Sequence, residues 1–304
     1  MTMPNFVIIG AGKAGTTSLY KYLGEHPQIF MSPKKEPRFF AVEDEEINFQ
    51  GPDDTRFKFI NKIDDYQKLF NQVSNEIAIG EASPIYLTTP KAPRRIHHHI
   101  PNAKIIAILR DPIERAYSNF LDSLSRGIET TDNFSEAMLL EEERIKNRWA
   151  PHWHYKRKGF YFSLLKPYFE LFDKKNIKIY FFEDLIKDPQ KIVKDIYRFL
   201  GVDHCFSPDF SIRHNPSGIP RSKRLHTYFL QKIWSNGSKV NRSIGPKIAN
   251  DLLQKIESGI FLLNLKEKPK ISKKTRKEFI NVYKEDILNL QGLVNRDLSP
   301  WLQA

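Results

Sequence analysis

The sequence contains one cysteine, Cys205, so no intrachain disulfide can form and a cysteine-built zinc site is excluded. No apolar run approaches the roughly 18 residues of a membrane-spanning helix. The opening Met1-Thr2-Met3-Pro4 lacks the basic and long apolar regions of a secretion signal. A chain with neither leader nor anchor is expected in a cytoplasm, and a bacterial one suits it. Glycine, at 14, and proline, at 19, are too scarce for a collagen-like repeat. Hydrophobic residues form 40% of 304 residues, too many for disorder and enough for a full core. Acidic residues are in deficit, 36 against 48 basic, a net charge of +12. The deficit lies in the second half. Residues 1–150 hold 19 basic and 21 acidic side chains, and residues 151–304 hold 29 and 15. A basic half points to an anionic partner, although solvated lysines in Lys266–Lys277 explain part of the excess.

Short apolar runs alternate with helical periods. Asn5–Ile9, Ile77–Ile79 (closed by Gly80), Lys104–Leu109 and Ile177–Phe182 read as strands. Ala14–Glu25, Ile113–Leu124 behind Pro112, Phe162–Phe172 and Pro189–Leu200 read as helices, the last ending at Gly201. Beyond residue 220 only helices are expected. Strands separated by helices predict an α/β fold with a central parallel sheet flanked by helices. One domain is expected over 1–304, with a core at about 5–224 and a helical C-terminal part at about 225–304. Residues 41–65 and 126–152 read as loops over a site.

The first strand runs into Gly10-Ala11-Gly12-Lys13-Ala14-Gly15-Thr16-Thr17-Ser18. Strand, glycine turn and helix make an anion-binding device, since free backbone N–H groups and the helix dipole meet a phosphate. Gly10, Gly12 and Gly15 satisfy the dinucleotide pattern G-x-G-x-x-G. That pattern expects an acid ~20 residues on to hold a ribose. Here Ser32-Pro33-Lys34-Lys35 stands instead, which leaves an NADP reading open. Gly10 and Gly15 also have the ATP-type P-loop spacing, but Thr16 occupies the lysine position and the lysine has moved to Lys13.

Lys13-Ala14-Gly15-Thr16-Thr17-Ser18 resembles the 5′-phosphosulfate loop of sulfotransferases that use 3′-phosphoadenosine 5′-phosphosulfate (PAPS), nearest the heparan-type, carbohydrate and bacterial branches. Arg110-Asp111-Pro112-Ile113-Glu114-Arg115-Ala116-Tyr117-Ser118 is similar to the family's 3′-phosphate motif, with Arg110 and Ser118 at the binding positions. A guanidinium offers a planar fork to phosphate oxygens, and a hydroxyl on the next helix adds a donor. Glu81-Ala82-Ser83-Pro84-Ile85-Tyr86 resembles E-K-[ST]-P-x-Y, with Ala82 in place of the lysine. In that likeness Glu81 is the general base. Lys34-Lys35-Glu36-Pro37-Arg38-Phe39-Phe40 is similar to K-E-x-x-F-F, a segment that borders the substrate cleft. Lys35 and Arg38 are the substrate candidates there. Lys158-Gly159-Phe160-Tyr161, Glu183-Asp184-Leu185 and Phe199-Leu200-Gly201-Val202 look like the later strand and helix. The run from Asn215 to Lys223 resembles the late cofactor loop, with Arg221 and Lys223 as the basic residues. The likeness covers about 5–224, and Asp297–Leu302 is also similar to bacterial members.

The resemblance implies a P-loop-like sulfotransferase fold and transfer of a sulfuryl group from PAPS to an acceptor hydroxyl or amine, leaving adenosine 3′,5′-bisphosphate (PAP). Gly12, Lys13, Ala14, Gly15, Thr16, Thr17 and Ser18 would cradle the 5′ end. Lys13 would stabilise the leaving phosphate, and no metal is called for. The acceptor is expected to be a carbohydrate, with an anionic one allowed. His97-His98-His99 invites a metal reading, but consecutive helical residues point ~100° apart. His152 and His154 alternate with Trp149, Trp153 and Tyr155, a pattern that suits a sugar site as well as a core, and His154 is taken as a substrate candidate. No nucleic-acid module is present. The rivals are a nucleotide-dependent kinase, an NADP-dependent oxidoreductase and a non-catalytic polyanion binder.

Overall fold

The computed structural model of the protein describes residues 2–52, 59–211, 219–220, 265–266 and 269–304. Five parallel strands form the centre: β1 (Phe6–Gly10), β2 (Ile29–Met31), β3 (Ala78–Ala82), β4 (Lys104–Leu109) and β5 (Ile177–Phe181). Their order across the sheet is β2-β3-β1-β4-β5. The central strands are nearly continuous apolar runs because both of their faces are covered. Val7 of β1 stands opposite Glu81 of β3 on one side and Ile105 of β4 on the other. Parallel neighbours bring every loop that follows a strand to one edge of the sheet, where open α/β sheets bind ligands.

Helices α1 (Thr16–Gly24), α2 (Phe39–Val42), α3 (Ile63–Gln67), α4 (Ala92–His99) and α5 (Pro112–Ser125) connect the first four strands or follow β4. Helices α6 (Phe134–Leu139), α7 (Glu141–Lys146) and α8 (Tyr161–Leu171) precede β5, and α9 (Phe182–Lys187) and α10 (Pro189–Leu200) follow it. The predicted helix at 189–200 has those bounds, and Gly201 closes it at φ 82°. The last long helix, α11 (Lys273–Val294), belongs to the fold: Phe279, Tyr283, Ile287 and Leu290 are buried in the core. Its Asp286 accepts from the N–H groups of Phe162 and Ser163, at 2.9 and 3.1 Å. A carboxylate from one helix thus caps the start of another, α8, whose own Phe160 cannot.

Three expectations need correction. The strand predicted to stop at Gly80 runs on to Ala82. Gly80 is a mid-strand glycine because the Phe6 ring lies across it, and a Cβ there would sit 2.2 Å from Phe6 Cζ. Gly80→Ala is expected to cost about 1–3 kcal/mol through overpacking, measured as a lower denaturant midpoint with an unchanged slope. Segments 41–65 and 126–152 are not plain loops: they contain helical turns, and they meet in a bridge between Gln50 and Trp149. Beyond residue 220 the chain is not all helix, since Leu265–Lys266 pairs antiparallel with Ile219–Pro220.

Candidate active site

The loop between β1 and α1 is built to receive an anion. Ala11 N–H donates to Ile108 O at 2.7 Å, which fastens the loop to β4. Gly15, at φ 97°, starts α1 in the left-handed region, and a Cβ there would meet Leu185 at 2.9 Å. No side chain caps the helix and no acid occupies its first turn, which suits an incoming negative group. Thr16 is buried, and Thr17 and Ser18 are half-buried on the same first turn. Gly12 has room above it, since a Cβ there would lie 3.8 Å from Pro84 Cβ. Lys13 takes φ 69°, a strained value for a lysine. Its ammonium lies 3.3 Å from Asp122 Oδ1 on α5. Asp122 also pairs with Arg126 at 3.1 Å, so it is shared between two cations. Sequence alone does not reveal Asp122, because nothing in its spacing ties it to Lys13.

Arg110 leaves the end of β4 beside this loop. Its Nη1 donates to Lys13 O at 3.3 Å, and its guanidinium stacks over the Phe182 ring at 4.7 Å. Nη2 reaches Glu114 at 3.4 Å, a long contact that a phosphate can displace. Asp111 does not hold Arg110. It caps α5 by accepting from Ile113 and Glu114 N–H, and it pairs with Arg276. Ser118 lies two turns into α5 and is almost fully buried. The structure therefore brings Lys13 and Arg110 into contact and sets Ser118 and Asp122 on the helix that follows. Arg221 and Lys223 lie outside the described residues.

The acceptor side is formed after β2 and β3. Lys35 Nζ donates to Glu36 Oε1 at 2.6 Å, and Arg38 Nη2 donates to Oε2 at 2.7 Å. Burial opposes the charge on Glu36, but Lys35 and Arg38 overcome it and hold the carboxyl at about 2. About a quarter of the Glu36 side chain is exposed, 27%. Phe39 and Phe40, fully buried, anchor the segment.

Glu81 behaves differently. It is fully buried, and Tyr66 OH, Tyr86 OH and Ser83 Oγ donate to it at 3.1, 2.6 and 2.8 Å. Burial pushes its carboxyl up to about 7 against the three hydroxyls, with Glu36 adding to the rise. A general base must lie within hydrogen-bond reach of the proton it takes. Glu81 is closed to an acceptor here, whereas part of the Glu36 side chain reaches the surface, which makes Glu36 a second candidate for the base beside Glu81. The signal for Glu36 in the sequence is its place as the acid inside K-E-x-x-F-F.

His154 follows a short turn at Pro151–Trp153, and its Nε2 is buried without a hydrogen-bond partner. Burial first, then Lys158 and Arg157, lowers it to about 3, so it stays neutral. Lys158 has no role of its own in the sequence motif that contains it, yet its charge acts on His154, and Glu36 and Arg38 act on it. Burial and Arg115 lower Lys158 to about 7. In α4, His97 packs on Phe172, while His99 bonds to Glu43 and meets the His98 ring edge-on. Among the described residues no three His, Cys, Asp or Glu side chains gather as around a metal ion, and no helix is long and apolar enough to cross a membrane.

A parallel sheet in this order, with an anion-binding loop after its middle strand, defines a P-loop-like α/β protein. The chain belongs to the sulfotransferase family, which matches residues 4–207. It is similar over 99% of both chains to the crystal structure of a sulfotransferase from Alicyclobacillus acidocaldarius, with 31% identity and a TM-score of 0.77. It is 24% identical to the membrane-associated sulfotransferase kil1 of Dictyostelium discoideum, covering 76% of this chain and 64% of that protein. It is 31% identical to the human bifunctional heparan sulfate N-deacetylase/N-sulfotransferase 3, over 66% of this chain. The chain spans only 22% of that human protein.

Proposed function

We propose that the protein moves a sulfuryl group from PAPS to a hydroxyl or amine of a carbohydrate. The observation that carries this is the joined pair of anion-binding elements: Lys13, inside the uncapped loop, accepts through its carbonyl a hydrogen bond from Arg110. One nucleotide with a phosphate at each end of its ribose suits that pair. Gly12, Ala14, Gly15, Thr16, Thr17 and Ser18 would surround the 5′ end, with Arg110 and Ser118 at the 3′-phosphate. Bound PAPS supplies an activated sulfuryl group on a phosphate leaving group. The acceptor oxygen or nitrogen forms its bond to sulfur as the sulfur–oxygen bond to phosphate breaks, and positioning and electrostatics do most of the work.

Glu36 takes the acceptor proton. Its low basicity suffices because an acceptor hydroxyl becomes strongly acidic as it bonds to sulfur. Lys13 leaves Asp122 and meets the charge that grows on the leaving phosphate oxygen. Lys35 and Arg38 outnumber the Glu36 carboxylate they share and leave the acceptor side net cationic, which favours an acidic sugar. The names of the heparan sulfate relatives support that class. His154, neutral and half-buried, remains a candidate acceptor to a sugar hydroxyl.

Calorimetric titration with PAP, against AMP, ATP and NADPH, tests the nucleotide. PAP is expected to bind at least ~10-fold tighter than AMP, the worth of one charge-assisted contact. Preference for ATP or NADPH over PAP would refute the reading. An acceptor screen with labelled PAPS, starting from unsulfated heparan-type chains, follows.

A further inference from the structure

Glu81 is closed to substrate, yet it stands at the centre of a polar cluster that reaches the Glu36 turn. All three of its hydrogen-bond partners are hydroxyls, and a hydroxyl has one proton to give. Ser83 Oγ gives its proton to Glu81 and turns a lone pair toward the Arg38 N–H, which donates to it at 3.1 Å. Tyr86 OH does the same for the Phe40 N–H, at 3.4 Å. Tyr86 is itself held from the other side, since Tyr168 OH donates to its carbonyl at 2.9 Å. Both amides lie just after Glu36, on the C-terminal side of its turn. That turn is strained: Glu36 and Arg38 take φ 59° and 63°, left-handed values that neither residue favours. Strain of this kind persists only where the surroundings hold it.

We propose that Glu81 is a positioning residue, which orients the Ser83 and Tyr86 hydroxyls so that they hold the Arg38 and Phe40 amides and keep Glu36 facing the acceptor. The proposal rests on the reading of Glu36 as the base. Its components come from three places in the chain: the acid from the end of β3, the two relaying hydroxyls from the residues after it, and the receiving amides from the segment after β2. Tyr66, from α3, fills the remaining site on Oε1, while Oε2 accepts from Ser83.

Hydrogen exchange read by mass spectrometry on the whole protein tests this, using peptides that cover residues 33–41. In Glu81→Gln the amide replaces one acceptor by a donor, so one hydroxyl must turn away. Exchange at Arg38 and Phe40 is expected to rise up to about tenfold, the worth of one hydrogen bond, with β1 and β4 unchanged. Ser83→Ala is expected to raise exchange at Arg38 and spare Phe40. It carries the test alone if Glu81→Gln does not fold. Unchanged exchange over 33–41 would overturn the proposal, and so would a uniform rise across the sheet, which would mean general loosening. The turnover of the same variants separates the two readings. A loosened turn with full sulfuryl transfer would keep the relay and remove Glu36 from the chemistry. Lost transfer without loosening would remove the relay and return Glu81 to a direct role.

Discussion

Glu36→Gln is expected to lower sulfuryl transfer by about 10²–10⁴-fold, the usual worth of a positioned general base, with PAP affinity within a few-fold of the parent. The amide keeps the size of the side chain, but its single oxygen can accept from Lys35 or from Arg38 and not from both, so hydrogen exchange over residues 33–41 is measured on the same variant to separate a loosened turn from a lost base. What it cannot do is take a proton. Transfer is followed as labelled sulfuryl group moved from PAPS to an unsulfated heparan-type chain, or to water if no sugar accepts. Glu81→Gln serves as the comparison. If Glu81 acts by holding the turn, its loss costs up to about tenfold, the worth of the hydrogen bond it controls. The reverse order, a harmless Glu36→Gln and a crippled Glu81→Gln, would move the proton back to the buried carboxylate. Both carboxyls carry charge effects of opposite sign. Glu36 is held at about 2 by its two cations, so it stays ionised over any practical pH range. Glu81, pushed up to about 7 by burial, changes charge near neutrality. Loss of activity at low pH that disappears in Glu81→Gln would therefore trace to the relay and not to the base.

Lys13→Ala and Arg110→Ala are expected to fail in different ways. Lys13 meets charge that exists only as the phosphate leaves, so its removal should cut turnover about 10²–10³-fold while PAP affinity changes little. Part of the Lys13 ammonium's binding energy is already engaged with Asp122 before any nucleotide arrives, which further limits its effect on affinity. Arg110 meets a charge that is present throughout. Arg110→Ala should weaken PAP binding about 10–100-fold, the range for a hydrogen-bonded ion, and leave AMP nearly untouched because AMP lacks the 3′-phosphate. Calorimetry with the two nucleotides distinguishes these outcomes directly. Equal weakening of both would mean that Arg110 acts through the Lys13 carbonyl and shapes the loop, and that it does not read the 3′-phosphate.

The elements proposed to bind the nucleotide were legible because backbone chemistry leaves marks in sequence. A β-branched run, glycines and hydroxyls at Thr16, Thr17 and Ser18 announce a strand, a tight turn and a helix start, and the structure has all three in order. Arg110 was legible for the same reason, standing between the KIIAIL strand and a proline-started helix. The acceptor side was less so. Spacing places Glu81 at the end of a strand but says nothing of the three hydroxyls that close over it, one of which, Tyr66, comes from a separate helix. Gly80 looked like a terminator because a glycine after an apolar run usually is one. Only the Phe6 ring on the neighbouring strand explains why the strand continues. The bridge between Gln50 and Trp149 joins residues far apart in the chain and leaves no local pattern at all.

The strand order has a stereochemical consequence. Glu36 follows β2 and Glu81 ends β3, whereas Lys13 follows β1 and Arg110 follows β4. On the proposed roles, the acceptor residues and the nucleotide residues occupy opposite halves of one sheet edge, with neighbouring strands spaced about 4.8 Å apart. A nucleophile held by the first half and a leaving group held by the second approach sulfur from opposite faces, along a line that crosses the strands. A sulfuryl group made chiral with three oxygen isotopes would then emerge with its handedness inverted after each turnover.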